Sequence, residues 1–455
     1  MRVRSDAAGA SSAGDVLEGR VEAIVPGGAG IVRDAHGVVL VRGGLPGERV
    51  RMEVVRKQKR VRHARVLAVL EPSPHRVLAD CPLHPRCGGC DLLDLSLSAA
   101  LAARVGIVKD ALTRTAKLPR DVVDAVVQPI RASDAPLERA RRRARFVVHR
   151  GALTFSAAES HERVPIEDCP ALHPRLRAVV TRFDELARDR AAGALLPEGT
   201  SVQVACSETA VSVAVDAGTP AQVAALASAL AVPVLLVDAV GGGERMRARD
   251  PMTVEVGVDV ELKGEVTSGA YPCLSDAAVF TQATRFGGRA ILEEVLAGCG
   301  DVASKGVLEL FAGAGHLTVP LVIASAHVSA VEGAPRAVMY LEKNLAIARA
   351  VADERARGKA TGTATATRAY IDDQLMVDPR TAVLVADPPR TGIPGFAGIL
   401  SKATPERVVL VSCDVATGAR DIAVAVAAGY RLARLVPIDA FPRTSHVEWV
   451  ATLVK

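Results

Sequence analysis

Aromatic residues are scarce in this sequence, 3% in all with a single Trp, which leaves few rings on which a planar ligand could stack. Long apolar runs are missing too. Hydrophobic residues make up 49% of the 455 positions, but Arg, Asp and Pro interrupt them throughout, and no stretch approaches the ~20 residues that cross a bilayer. No membrane association is expected. The N-terminal stretch MRVRSDAAGASSAGDV is small and polar and lacks the apolar centre and cleavage pattern of a secretory signal, so a soluble, cytoplasmic and monomeric protein is expected.

What is present is clustered basic charge. The net charge is only +5, yet Arg56, Lys57, Lys59, Arg60, Arg62 and Arg65 form one run, and Arg139, Arg141, Arg142, Arg143 and Arg145 another. One such run is ordinarily a solvated face; two beside strand-like sequence point to a polyanionic partner, RNA. Few aromatics and many arginines together predict salt-sensitive binding through phosphates.

The length calls for several domains, and three are expected. Residues 10–72 alternate short β-rich segments with glycine turns, the pattern of a small β-barrel, and from Asp15 to Val66 they resemble the OB-like TRAM domain of RNA-modifying enzymes. Residues 73–275 hold a helical stretch near Leu101 to Lys117, then strand signals such as ARFVVHR and SVQVACS around a helix near Leu176, so a central α+β domain is expected. Residues 276–455 alternate buried-strand runs (GVLEL, HVSAVE, AVLVADPP, RVVLVSCD) with helical segments, a doubly wound, Rossmann-like α/β domain. The stretch Arg349 to Arg368 reads as a helix end followed by an irregular insertion.

The segment Leu308 to Thr318 (LELFAGAGHLT) follows a strand and opens a helix, where glycines let backbone amides approach a ligand. Thr318 stands where a dinucleotide-binding loop has its third glycine, which disfavours bound NAD. The next strand ends in Glu332, placed to accept hydrogen bonds from two ribose hydroxyls. Glycine loop and ribose acid are the logic of a class I methyltransferase using S-adenosyl-L-methionine. A plain structural turn with a surface Glu is the alternative.

Further on, Asp387-Pro388-Pro389-Arg390 closes a strand at the same edge of the sheet. Methyltransferases of exocyclic amines often carry an aromatic after Asp-Pro-Pro to stack on the base; Arg390 argues against that chemistry. Another strand delivers Cys413 to this rim, and Glu448 arrives as a last strand begins. A lone strand cysteine is usually packing, but its position beside Asp387 and Glu448 suits one reaction. C5 of uracil is a poor nucleophile until a thiolate adds to C6, and a carboxylate must then remove the C5 proton before the thiolate can leave. The target base must be extruded from its stack to expose C6.

Asp-Pro-Pro-Arg, then Ser-Cys, then Phe-Pro-x-Thr-x-His-x-Glu, at Asp387, Cys413 and Glu448, resemble the RNA 5-methyluridine (uracil-C5) methyltransferase family over nearly the whole chain. The resemblance implies Cys413 as nucleophile, Glu448 as proton acceptor, and Gln282, Phe311, His316, Glu332 and Asp387 around the cofactor. Three positions depart from the family's pattern: Thr284 stands for an Asn, His316 for a frequent Asn, and Asp414-Val415 for Asn-Pro. These departures motivate an alternative, an RNA-binding homologue with impaired catalysis; a carboxylate at Asp414 would raise the neighbouring thiol's pKa unless it points away.

Cys81, Cys87 and Cys90 in CPLHPRCGGC, with Cys169, supply four thiols for one metal site. Spacing alone leaves zinc and iron–sulfur open; Gly88, Gly89 and the two Cys-Pro pairs lean to iron–sulfur. The ribosomal RNA members of the resembled family carry a [4Fe-4S] cluster at matching positions, which favours that cofactor and 23S ribosomal RNA as substrate, with transfer RNA as the alternative. The C-x3-C-x2-C spacing of radical S-adenosylmethionine enzymes is absent.

Overall fold

The computed structural model describes residues 13–133, 140–158, 160–166, 168–188, 195–237, 260–262, 269–271, 273–324, 327–356 and 362–455. Arg139 and Glu167 lie outside the described residues. Among the described residues, no helix is long and apolar enough to cross a membrane.

Strands β1 (Val16–Arg20), β2 (Ala23–Ile24), β3 (Gly30–Asp34), β4 (Gly37–Arg42), β5 (Arg49–Gln58) and β6 (Val61–Glu71) form one six-stranded sheet in the order β1-β5-β6-β4-β3-β2. Alternation sets its inside: Val50 and Met52 of β5 join Val21, Val32, Val39 and Val41 in a small core. Beyond that core β5 runs exposed, so Arg56, Lys57, Lys59 and Arg60 project into solvent. The basic run is not uniform, however. Arg62 turns inward, 2% exposed, and pairs with Asp34 at 2.5 Å, while Arg65 pairs with Glu53 at 2.7 Å.

Helices α1 (Leu97–Arg114) and α2 (Arg120–Val126) follow, then β7 (Arg143–His149), β8 (Ala152–Ser156), β9 (Arg163–Pro165), α3 (Pro174–Arg188), β10 (Ser201–Cys206), β11 (Val211–Val215), α4 (Pro220–Leu230) and β12 (Val234–Leu236). The strands β7 to β12 make a second sheet, β12-β11-β10-β7-β8-β9. Ala144, Phe146 and Val148 of β7 pack with Leu176, Val180 and Phe183 of α3. Period two then sends Arg143 and Arg145 to the opposite face. α1 and α2 belong elsewhere: Ile107, Leu112 and Val123 share a core with Leu410, Ile422 and Trp449 of the C-terminal region. Val127 and Arg131 bridge to Leu435 and Ile438, covering an otherwise open sheet edge.

A short pair β13 (Val260–Leu262) and β14 (Gly269–Tyr271) precedes α5 (Arg285–Cys299), β15 (Gly306–Leu310), α6 (Thr318–Ile323), β16 (His327–Glu332), α7 (Pro335–Ala356), β17 (Thr363–Arg368), β18 (Thr381–Ala386), α8 (Phe396–Ala403), β19 (Arg407–Ser412), α9 (Val415–Ala427), β20 (Arg431–Ile438) and β21 (Glu448–Val454). The third sheet runs β17-β16-β15-β18-β19-β21-β20. All its strands are parallel except β21, which is antiparallel to both neighbours. Its central strands are apolar on both faces because helices cover both. The expected irregular insertion is corrected: Thr363–Arg368 is the edge strand β17, whose Thr/Ala alternation buries Ala364 and exposes Thr363 and Thr367. Strand order reverses between β15 and β18, which opens a crevice at the carboxyl ends of the strands.

Candidate active site

The turn after β15 leaves the sheet sharply, with Phe311, Gly313 and Gly315 all at positive φ (+61°, +56° and +95°). Glycine accepts such angles freely; Phe311 holds one at a cost of ~1 kcal/mol or more. Glu332, at the end of β16, braces this loop: its Oε2 accepts from the Gly313 N–H at 2.8 Å and its Oε1 from the Ala334 N–H at 2.7 Å. His316 donates from Nε2 to the Gly288 carbonyl at 3.1 Å, and burial pushes its pKa down, so the ring is neutral with Nδ1 unprotonated.

On the other side of the switch point β18 gives way directly to Asp387, whose Oδ2 accepts from Gln282 Nε2 at 3.4 Å. β19 ends at Ser412, paired in register with Trp449 of the antiparallel β21. Continuing that register sets Cys413 opposite Glu448. A carboxylate from the last strand thus meets a thiol 35 positions earlier in the chain (448 − 413) by strand pairing alone. One cleft of about 810 Å³ is lined by Gln282, Phe311, His316, Glu332, Asp387, Cys413 and Glu448 together. That volume suits a cofactor plus a flipped base.

Burial dominates the electrostatics. It raises Asp387 to about 7, and it raises Glu448 well above the carboxylate range with help from the Asp387 charge beside it. Two carboxylates sharing one buried site do not both ionise readily, so they titrate as a pair. Burial, then the Glu448 carboxylate, pushes the Cys413 thiol up to about 11, while the positive charge of the Arg390 guanidinium pulls it down. Arg390 also favours the charged form of Glu448.

Other residues of this cleft were not among the expected cofactor or catalytic residues. Glu309 is 1% exposed with Oε2 unpartnered, and burial, reinforced by Asp387 and Glu332, raises it to about 8. A charge inside the buried run GVLEL was the available signal. Arg143 reaches the cleft from β7, donating to the Val279 carbonyl at 2.6 Å and to Gln203 Oε1 at 3.0 Å, and lies 5.7 Å over the ring of Phe280, which is 63% exposed. The three departures have structural employment in part. Thr284 caps α5, accepting from the Gly287 N–H at 3.0 Å and donating to the Ala440 carbonyl at 3.3 Å. Asp414 caps α9, its Oδ1 accepting from the Thr417 N–H at 2.9 Å, which turns that carboxylate toward the helix.

Cys81, Cys90 and Cys169 line a separate small cavity of about 50 Å³, together with Arg141 and the segment Ala440–Thr444. Burial pushes Cys90 up to about 12, followed by the charges of Cys169, Cys87 and Cys81; Cys87 and Cys169 are raised as well, again chiefly by burial. Cys90 therefore feels the other three thiols, of which Cys81 and Cys169 share this cavity. Among the described residues, no group of three His, Cys, Asp or Glu side chains is set to hold a metal ion.

A sheet of this order, with a glycine loop and an acid-tipped second strand at its switch point, defines an α/β protein of the Rossmann-like, class I methyltransferase kind. Residues 271–455 match the family described as tRNA (uracil-5-)-methyltransferase. The 23S rRNA (uracil(1939)-C(5))-methyltransferase RlmD of Halomonas elongata is 31% identical over 95% of this chain and 89% of its own length. Its namesake in Pectobacterium atrosepticum is 27% identical over 95% and 92%. Among solved structures, the tRNA (uracil-54, C5)-methyltransferase of Pyrococcus abyssi, in complex with S-adenosyl-L-homocysteine, shares the fold with a TM-score of 0.67 at 19% identity, covering 96% of this chain and 100% of that one. This chain belongs to the RNA uracil-C5 methyltransferase family.

The raised thiol makes a direct prediction for the free protein. Iodoacetamide should alkylate Cys413 slowly at neutral pH and faster as pH climbs toward 11. Arg390→Ala removes the charge that lowers this pKa and should slow the reaction further. Peptide mass mapping of Cys413 over time reads both; faster labelling in the variant would show that Arg390 does not activate the thiol.

Proposed function

We propose that this enzyme transfers a methyl group from S-adenosyl-L-methionine to C5 of one uridine in 23S ribosomal RNA, through a covalent bond between Cys413 and C6. The observation that carries the reading is the single cleft in which β19 and β21 face a thiol with a carboxylate beside the glycine loop. Phe311, His316, Glu332, Gln282 and Asp387 surround the volume assigned to the cofactor, where Glu332 exchanges its backbone partners for ribose hydroxyls.

Cys413 Sγ, as thiolate, adds to C6 of the extruded base, and the electron pair moves onto C5, which takes the methyl group from the sulfonium as the S–CH3 bond breaks and its electron pair stays on the departing thioether sulfur. Glu448 then removes the C5 proton, the C5–C6 double bond reforms, and Sγ leaves as thiolate. Arg390 supports both anions in turn. The positive sulfonium of the bound cofactor favours them further, which offsets the burial that keeps the free groups protonated. Arg143 and Arg145, with the exposed end of β5, offer positive charge to phosphates on the approach to the cleft.

Ribosomal rather than transfer RNA is supported by the two relatives that align over about nine tenths of their own length and carry 23S rRNA in their names. An impaired homologue is less well supported, since Thr284 and Asp414 are taken up as helix caps outside the chemistry. We read residues 10–72 as a TRAM-like barrel that grips RNA, 73–275 as a central unit and 276–455 as the catalytic unit of a cytoplasmic monomer.

The donor set at Cys81, Cys87, Cys90 and Cys169 fits a [4Fe-4S] cluster. Cys81, Cys90 and Cys169 line one cavity, the charge of Cys87 reaches Cys90 and Cys169, and Arg141 borders the cavity to offset negative charge. Such a cluster would supply iron–thiolate bonds tying 81–90 to Cys169. Protein purified without oxygen should contain iron and acid-labile sulfide, and Cys90→Ser should lose both; bound zinc with no sulfide would overturn the cluster.

Glu448→Gln separates the steps of the reaction. Addition and methyl transfer should proceed but release should stall, so a methylated protein–RNA complex accumulates on denaturing gels while turnover falls ~10²-fold or more. Cys413→Ala should give no complex. Normal turnover by the Gln variant would remove Glu448 from its role.

A further inference from the structure

The segment that brings Glu448 to Cys413, residues 441–447 between β20 and β21, is gripped from outside its own sheet. Asp91, directly after Cys90, accepts two hydrogen bonds from Ser445: Oδ1 from the backbone N–H and Oδ2 from the hydroxyl, both at 2.6 Å. The Ser445 hydroxyl in turn accepts from the Gly27 N–H at 3.0 Å, in the turn between β2 and β3. Ser445 is 4% exposed, so these bonds are shielded from water. Gly28 makes the approach possible, since a Cβ there would lie 2.6 Å from the Asp91 side chain. Two neighbours tighten the same grip: the Leu92 N–H donates to the Arg443 carbonyl at 3.1 Å, and the Arg443 guanidinium pairs with Asp80.

We propose that Asp91 is a positioning residue for the proton-abstraction step, holding the 441–447 segment through Ser445 so that Glu448 stays aligned with the substrate C5. The inference rests on the functional reading above. Three parts of the chain meet at one hydroxyl: the barrel through Gly27, the cysteine loop through Asp91 and the catalytic segment through Ser445. A carboxylate is required because both of its oxygens act as acceptors. An Asn would satisfy the Ser445 N–H but present a donor to the hydroxyl. Cys413 hangs from β19, outside this grip, so its addition to C6 does not depend on Asp91.

The test uses the intact protein and its RNA, with Asp91→Ala, Asp91→Asn, Ser445→Ala and the double Ala variant. For Asp91→Ala, kcat should fall by about tenfold or more while KM for RNA stays within about threefold, the signature of a misplaced catalytic group. Trapping on 5-fluorouridine RNA, which needs Cys413 but not the proton transfer, should keep the parent rate. On ordinary RNA a methylated covalent complex should accumulate. Asp91→Asn and Ser445→Ala should show the same split, and the double variant should be no worse than Asp91→Ala alone. Ser445→Ala leaves the cysteine loop's sequence intact, so it decides the matter should Asp91→Ala fail to fold. If the parent protein does not trap, the reading of Cys413 fails. If it traps but the variants turn over normally, or lose trapping and turnover in equal proportion, the positioning role of Asp91 fails.

Discussion

The pairing of β21 between β19 and β20 is the constraint on which the rest of the site depends. Because β21 runs against its neighbours, its first residue lies beside the last residues of β19, and Glu448 meets the Cys413 end of the sheet without any long-range side-chain search. A parallel last strand would start at the far edge and leave the thiol without a carboxylate. The glycine loop and Glu332 then follow from the ordinary behaviour of a parallel sheet, whose carboxyl ends converge at the switch point. Thiol, carboxylate and glycine loop are brought together by topology, and the side chains only have to be the right ones.

Burial gives this arrangement its character. Asp387, Glu309, Glu448 and Cys413 are each pushed toward the neutral form in the free protein, so the cleft carries little of the negative charge its composition suggests. Such a site is suited to a cationic cofactor, since a sulfonium brought into it would favour the charged forms of these groups. Arg390 supplies a permanent positive charge that favours the thiolate, which an aromatic at the end of Asp-Pro-Pro would not.

Much of the fold was legible in the sequence because buried parallel strands are continuous apolar runs, and the candidate site residues Glu332, Asp387 and Cys413 stand at the ends of those runs. Other features were not. Thr284 and Asp414 looked like losses from a motif, and only the helix starts show them as caps. Arg62 reads as one more cation in a basic run, yet strand alternation turns it inward onto Asp34. β17 was missed because Thr and Ala give weak strand patterning, and its pairing with β16 supplies what propensity does not. α1 and α2 precede the central sheet in sequence but complete the catalytic core, which no local signal announces.

The central claim, C5 methylation of a uridine in 23S ribosomal RNA, is tested most directly by mapping the product. Purified protein would be incubated with unmodified 23S rRNA or with unmodified transfer RNA and S-adenosyl-L-methionine carrying a deuterated methyl group, and the digested RNA read by mass spectrometry. Labelled 5-methyluridine at a single position of the ribosomal RNA, with none in the transfer RNA, is the predicted result. Label confined to transfer RNA, or none in either, would contradict it.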